Sequence, residues 1–150
     1  MSKVSTIYDA CLTTLATLFS TKTRIPNPYS LPDNHQPLLV NGYGLRVDSS
    51  TQVSGEFCNF VTDRTFTIIV TRELIKLDSK QDGFDTVIKN LLEDVYTIQK
   101  RFYNVDTLGL TNTIDNVVLA STSNVLEVNS GKFNFLAVEV PVIVTIREAL

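Results

Sequence analysis

Residues 133–147 read FNFLAVEVPVIVTIR. Every even position from Leu136 to Ile146 is apolar, while the odd positions include Glu139, Pro141, Thr145 and Arg147. Successive side chains leave a strand on opposite sides, so this alternation predicts a long strand with one face wholly in a core. The odd row is mixed, because Phe135 and Ile143 stand in it. Pro141 has no amide proton to give a neighbouring strand, which predicts an edge position or a bulge there.

A second strand signal runs from Arg64 to Lys76. Phe66, Ile68 and Val70 alternate with Thr65, Thr67 and Thr71, and Ile69 interrupts the polar row. Residues 57–61 are expected in the same ribbon or in its partner. Leu38 to Val47 predicts a strand broken by Gly42 and Gly44, followed by a polar turn region from Asp48 to Gly55. Shorter strands are expected at 113–120 and 124–128.

Between the ribbon and the last strands lies an amphipathic helix. Phe84, Val87, Ile88, Leu91, Val95, Ile98 and Phe102 step by three or four, and Lys89, Asn90, Glu93, Asp94 and Lys100 are left for solvent. Asp82 or Ser79 is a candidate cap, and Lys100 and Arg101 suit the negative end of the helix dipole. The same spacing at Ile7, Tyr8, Cys11, Leu12, Leu15, Leu18 and Phe19 predicts a first helix over 5–19 with Ser5 as its N-cap. Residues 25–37 hold four prolines, which exclude helix and predict an extended arm or a long ordered loop. Strands joined by short turns, with two helices, predict an α+β fold: one domain, mostly antiparallel, with both helices on one face.

The 150 residues carry 13 Lys and Arg against 16 Asp and Glu, a net charge of -3, and 43% hydrophobic residues. A chain of this size buries a core without disulfide or metal staples. No apolar run approaches the ~20 residues of a membrane span, so no membrane association is expected. The first residues lead into Asp9 and several Thr and do not read as a secretory leader, so the protein is expected to stay where it is made. Neither half has the basic field that phosphate binding needs, so sequence-specific nucleic-acid binding is not expected. Cys11 and Cys58 lie in no paired motif and read as buried free thiols; His35, the one histidine, sits in the Pro-rich segment. With no nucleophile elbow, zinc motif, P-loop or dinucleotide fingerprint, neither catalysis nor a metal or other cofactor is expected. Asp63, Arg64, Arg72 and Glu73 form the best enzymatic cluster, although ion pairs across strands are the commoner origin of such charges.

In order, size and character these segments resemble the tail terminator, or tail completion, proteins of long-tailed, lambda-like bacteriophages. The resemblance rests on the helix Ile7 to Phe19, the Pro-containing segment, the ribbon ending in 65–71, the helix Phe84 to Phe102 and the strand Phe135 to Arg147. It implies an α+β subunit of a homo-oligomeric ring, often a hexamer, that caps the tail tube and presents a docking surface to the head connector. The implied partners are the tail tube protein and the head-completion or connector protein, and the implied location is the virion, after assembly in the host cytoplasm. Another neck, connector or baseplate protein is the alternative, and a small ligand-binding or enzymatic α+β module a further one. The stretch 25–37 is longer and richer in proline than the smallest members lead one to expect. As subunit-interface candidates the sequence offers Ile69, Phe135 and Ile143 on the mixed sheet face and Pro26, Pro28 and Tyr29 in the Pro-rich segment. For the sheet residues, a loop or second layer within the subunit is the competing explanation.

Overall fold

The even row of residues 136–146 is buried from end to end, and both helices lie over it. The computed structural model describes residues 3–56, 59–74, 81–103, 114–131 and 133–149. Helix α1 (Lys3–Leu18) is followed by a two-residue strand β1 (Thr23–Arg24) and two 3-10 turns at 31–33 and 36–39. Strands β2 (Asn41–Glu56) and β3 (Asn59–Glu73) form a long ribbon; α2 (Gln81–Phe102), β4 (Ile114–Leu119), β5 (Leu126–Ser130) and β6 (Phe133–Ala149) complete the chain. The α+β class read from the sequence is the observed one. The sheet runs β1-β2-β3-β6-β4, with β5 sharing the outer flank of β6 with β4, and among the described residues only the β1–β2 pair is parallel.

Register fixes which residues share a face. Phe66, Ile68 and Val70 of β3 lie opposite Val142, Val140 and Val138 of β6. These six form one core with Ile7, Cys11 and Leu15 of α1 and Leu91, Ile98 and Phe102 of α2. Burial of this kind contributes roughly 1.5–3 kcal/mol for each large aliphatic or aromatic side chain, so the shared face dominates stability.

Several local expectations are corrected. Ser5 lies within the first turn of α1, which begins at Lys3, and does not cap it. Asp82 likewise falls inside α2, while Ser79 lies outside the described residues. Phe84, expected in the core, is 42% exposed, whereas Asp94, expected in solvent, is buried. The expected turn at 48–55 is strand: β2 pairs with β3 as far as Glu56, opposite Asn59. Irregularities in register between Val47 and Ser50 and between Gln52 and Ser54 let a polar sequence stay in the ladder, since main-chain pairing needs no apolar side chains. Pro141 lies opposite Thr67 of β3 on one side and, on the other, in the interval of β6 between its pairings with β5 and β4, where a strand partner's ladder bond is not required of it. Its carbonyl accepts a hydrogen bond from the Ala120 amide (3.1 Å), so its missing donor points at the connection between β4 and β5. There Ser123 completes the ladder to Glu139, accepting from its amide through Oγ at 2.9 Å and donating its own amide to the carbonyl at 2.9 Å.

Nor do the two glycines break β2. Gly42 and Gly44 lie opposite Thr71 and Ile69, on the sheet face away from the helices. A Cβ at Gly42 would stand 2.5 Å from the Leu38 carbonyl oxygen and 2.9 Å from Ile25, and one at Gly44 would stand 3.1 Å from Pro28. The absent side chains form a notch in which the Pro-rich segment beds down. Ile25 and Leu39 are buried there with Phe135, and the Ile25 amide donates to the Tyr43 carbonyl at 2.7 Å. Buried Asn34 ties the loop to itself, its amide group donating to the carbonyls of Asn27, Ser30 and Leu31 at 2.8–3.1 Å. Residues 25–39 are thus a loop folded onto their own sheet.

Gly42→Ala is expected to destabilise the subunit by about 1–3 kcal/mol, because the obstructing atom is main chain and cannot rotate away. Gly83→Ala, where a Cβ meets nothing within 4 Å, should not. Thermal unfolding of the two variants checks this.

Candidate functional site

The face of the sheet away from the helices divides into a covered part and an open part. At the covered end lie Phe135 and Ile69, 1% and 0% exposed beneath the Pro-rich loop. Their assignment to a subunit interface is overturned: the loop within the same subunit already excludes water from them. Pro28, buried over Gly44, is corrected for the same reason. Pro26 is exposed, and Tyr29 is 64% exposed with its hydroxyl accepting a hydrogen bond from the Val47 amide at 3.2 Å.

A charged network closes the edge of the loop. Arg46 reaches across the sheet, donating to Glu139 from both terminal nitrogens (3.0 and 3.3 Å) and to Asp48 from Nε at 2.8 Å. The Thr67 hydroxyl also donates to Asp48. Burial works to raise the Asp48 pKa, but the hydrogen bonds from Arg46 and Thr67, with the Arg46 charge, outweigh it and hold the carboxyl below its ordinary value. The Arg46 guanidinium is held more firmly protonated by the hydrogen bonds of Glu139 and then Asp48. Between this network, the loop and β5 lies a cleft of about 370 Å³, lined by Tyr29, Leu31, Arg46, Val128 and Glu139 among others.

Beyond the network the sheet is open. Val118 of β4, Ile143 of β6 and Thr65 of β3 stand in one row, with Val118 47% exposed and Ile143 half-buried. The next row holds Asn116, Thr145 and Asp63, and the Thr145 hydroxyl donates to Asp63 at 2.6 Å. Of the sheet residues offered by the sequence, Ile143 is the one that the subunit leaves accessible.

The enzymatic cluster does not converge. Asp63 and Arg64 lie near one end of β3, and Arg72 and Glu73 near the other, roughly 30 Å away at the rise of a strand. Arg72 is committed to Asp94 of α2, with Nε and a terminal nitrogen each 2.8 Å from a carboxylate oxygen. Lys22 binds the same carboxylate at 2.8 Å and also donates to Asn41. Burial lowers the Lys22 pKa from its usual value; Arg72 pushes the same way, and Asp94 partly offsets both. A cleft of about 380 Å³ beside this triad is lined by Asn41, Arg72, Glu73 and Asn90, among others.

Burial likewise pushes the Cys11 thiol up to about 12, which suppresses the reactive thiolate. Cys58 lies outside the described residues. His35 is exposed, and among the described residues no three His, Cys, Asp or Glu side chains gather as a metal site. No helix among the described residues is long and apolar enough to cross a membrane. Nothing local in the sequence marks Arg46 or Lys22: Glu139 lies 93 residues from Arg46, and Asp94 lies 72 from Lys22, so no local spacing signals either pair. No family model matches the chain, and no curated protein is significantly similar to it.

Two predictions follow from these ion pairs. Asp94→Ala leaves the Lys22 ammonium, whose side chain is 3% exposed, without a counter-charge. It should cost about 3–5 kcal/mol in denaturant unfolding, whereas Lys22→Met, which keeps Arg72 on Asp94, should cost less. The second concerns acid. Because the folded pKa of Asp48 lies below its ordinary 3.8, its ionised form contributes stability that is fully present above that value and is lost as pH falls through the folded one. The melting-temperature difference between the wild type and Asp48→Asn should therefore shrink between about pH 5 and about pH 2.

Proposed function

We propose that the chain is a structural subunit of a bacteriophage tail or neck: a tail terminator that closes into a homo-oligomeric, hexameric ring on the tail tube and offers its other side to the head-completion or connector protein. The observation that carries the reading is the open row of Val118 and Ile143. It lies on a sheet face that the subunit covers elsewhere with its own Pro-rich loop. An apolar row beside hydrogen-bonded polar groups, Thr145 with Asp63, has the make-up of a surface that a second subunit completes. The order of helices and strands that carries the resemblance supports the same reading.

The charged side chains fit a structural role. Arg46, Asp48, Glu139, Lys22, Arg72 and Asp94 neutralise one another within the subunit and hold elements in place. With a net charge of -3, a ring of such subunits would let DNA pass without gripping its phosphates.

Native mass spectrometry of the purified protein, with and without tail tube protein, tests the proposal, and a closed ring mass is the expected result. Ile143→Asp should leave a folded subunit with near-normal circular dichroism and abolish the ring, because only the assembly would desolvate the new charge. The neighbouring Val142→Asp, in a fully buried row, should unfold the subunit by burying an unpaired carboxylate. Rings that survive Ile143→Asp would overturn the assignment of this row.

A further inference from the structure

Helix α2 has a second apolar stripe that its own fold covers only in part. Its core side is formed by Leu91, Val95, Ile98 and Phe102. About a quarter-turn to one side stand Ile88, Leu92 and Tyr96, spaced four apart; Ile88 is half-buried, and Leu92 and Tyr96 are 53% and 60% exposed. Lys89 and Glu93 are both exposed along the outer margin of the stripe. A large aliphatic and a large aromatic side chain, adjacent on a helix and more than half exposed, gain free energy when a partner takes them out of water.

The pattern of the stripe identifies that partner. If a second α2 is laid antiparallel with Leu92 on the two-fold axis and crossed at about 50°, so that the i, i+4 rows of the two helices run alongside each other, residue 96 of each helix falls opposite residue 88 of the other and Tyr96 meets Ile88 at both ends. In the same register Lys89 of each copy lies two residues, about 3 Å along the axis, from Glu93 of the other. Apolar groups meet apolar groups and each cation meets an anion, twice over, as an isologous contact requires. The antiparallel arrangement also sets the helix dipoles head to tail. We propose that this face of α2 binds a second copy of the same chain across a two-fold axis at Leu92.

This inference goes beyond the ring reading and does not rest on it, because the α2 stripe and the Val118–Ile143 row lie on opposite faces of the sheet. A two-fold contact at α2 would join two subunits or two rings; in either case its loss halves the assembly.

Sedimentation velocity over a range of concentrations tests it, using the full chain. The wild type should sediment with an even number of subunits, and Leu92→Asp should halve that mass while circular dichroism stays unchanged. Lys89→Glu and Glu93→Lys separately should each weaken the association about tenfold, since either change sets like charges together at both ends. The double variant, which exchanges the charges, should recover to within about threefold of the wild type. Three results would overturn the proposal: a wild-type monomer at every concentration, an assembly whose mass Leu92→Asp leaves intact, or a double variant no better than the single ones. A ring whose full wild-type mass is unchanged in Leu92→Asp rejects the α2 contact and leaves the ring reading standing. Loss of the ring in Ile143→Asp with a dimer remaining supports the α2 contact by itself.

Discussion

The carboxylate of Asp94, buried between Lys22 and Arg72, is the point to which the separate layers of this subunit are tied. It lies on α2, Arg72 on β3, and Lys22 on the segment that leaves α1, while Lys22 also reaches Asn41 at the start of β2. One carboxylate therefore fixes the height of α2 over the sheet and the path by which the chain leaves α1. Desolvating these charges is expensive, and a pair of apolar side chains could be as stable. Apolar contact is non-directional, however, whereas the bidentate Arg72 contact fixes α2 in both rotation and translation. Phe19 helps to enclose the site, with the Lys22 ammonium 5.4 Å from its ring centre and Tyr43 packed on the same ring at 5.9 Å.

The opposite face of the sheet is organised by what it lacks. Two glycines in β2 remove the side chains that would hold the Pro-rich loop away, and Ile25, Pro28 and Leu39 settle into the notch above Ile69 and Phe135. Arg46, held between Asp48 and Glu139, closes the border of that cover. The loop therefore has a definite end, and past it the sheet returns to solvent with Val118 and Ile143 in one row. The proposed assembly surface follows from where the cover stops.

The amino-acid pattern alone determined the elements that repeat with a fixed period. The even row of β6, the alternation in β3 and the core side of α2 are local facts, since a period of two or of 3.6 states which residues share a face. These were enough for the α+β class. What the pattern could not supply is what lies across each face. Asp94 reads as solvent-facing by helical spacing, and only the arrival of Lys22 and Arg72 makes its burial tolerable. Ile69 and Phe135 read as equally available for a neighbouring subunit or a covering loop. The choice depended on Gly42 and Gly44, which look like strand breakers in one dimension and form a docking notch in three. Periodicity is a property of neighbours along the chain, and cover is a property of neighbours in space; these pairs are joined by contacts between residues tens of positions apart, which only the folded structure brings together.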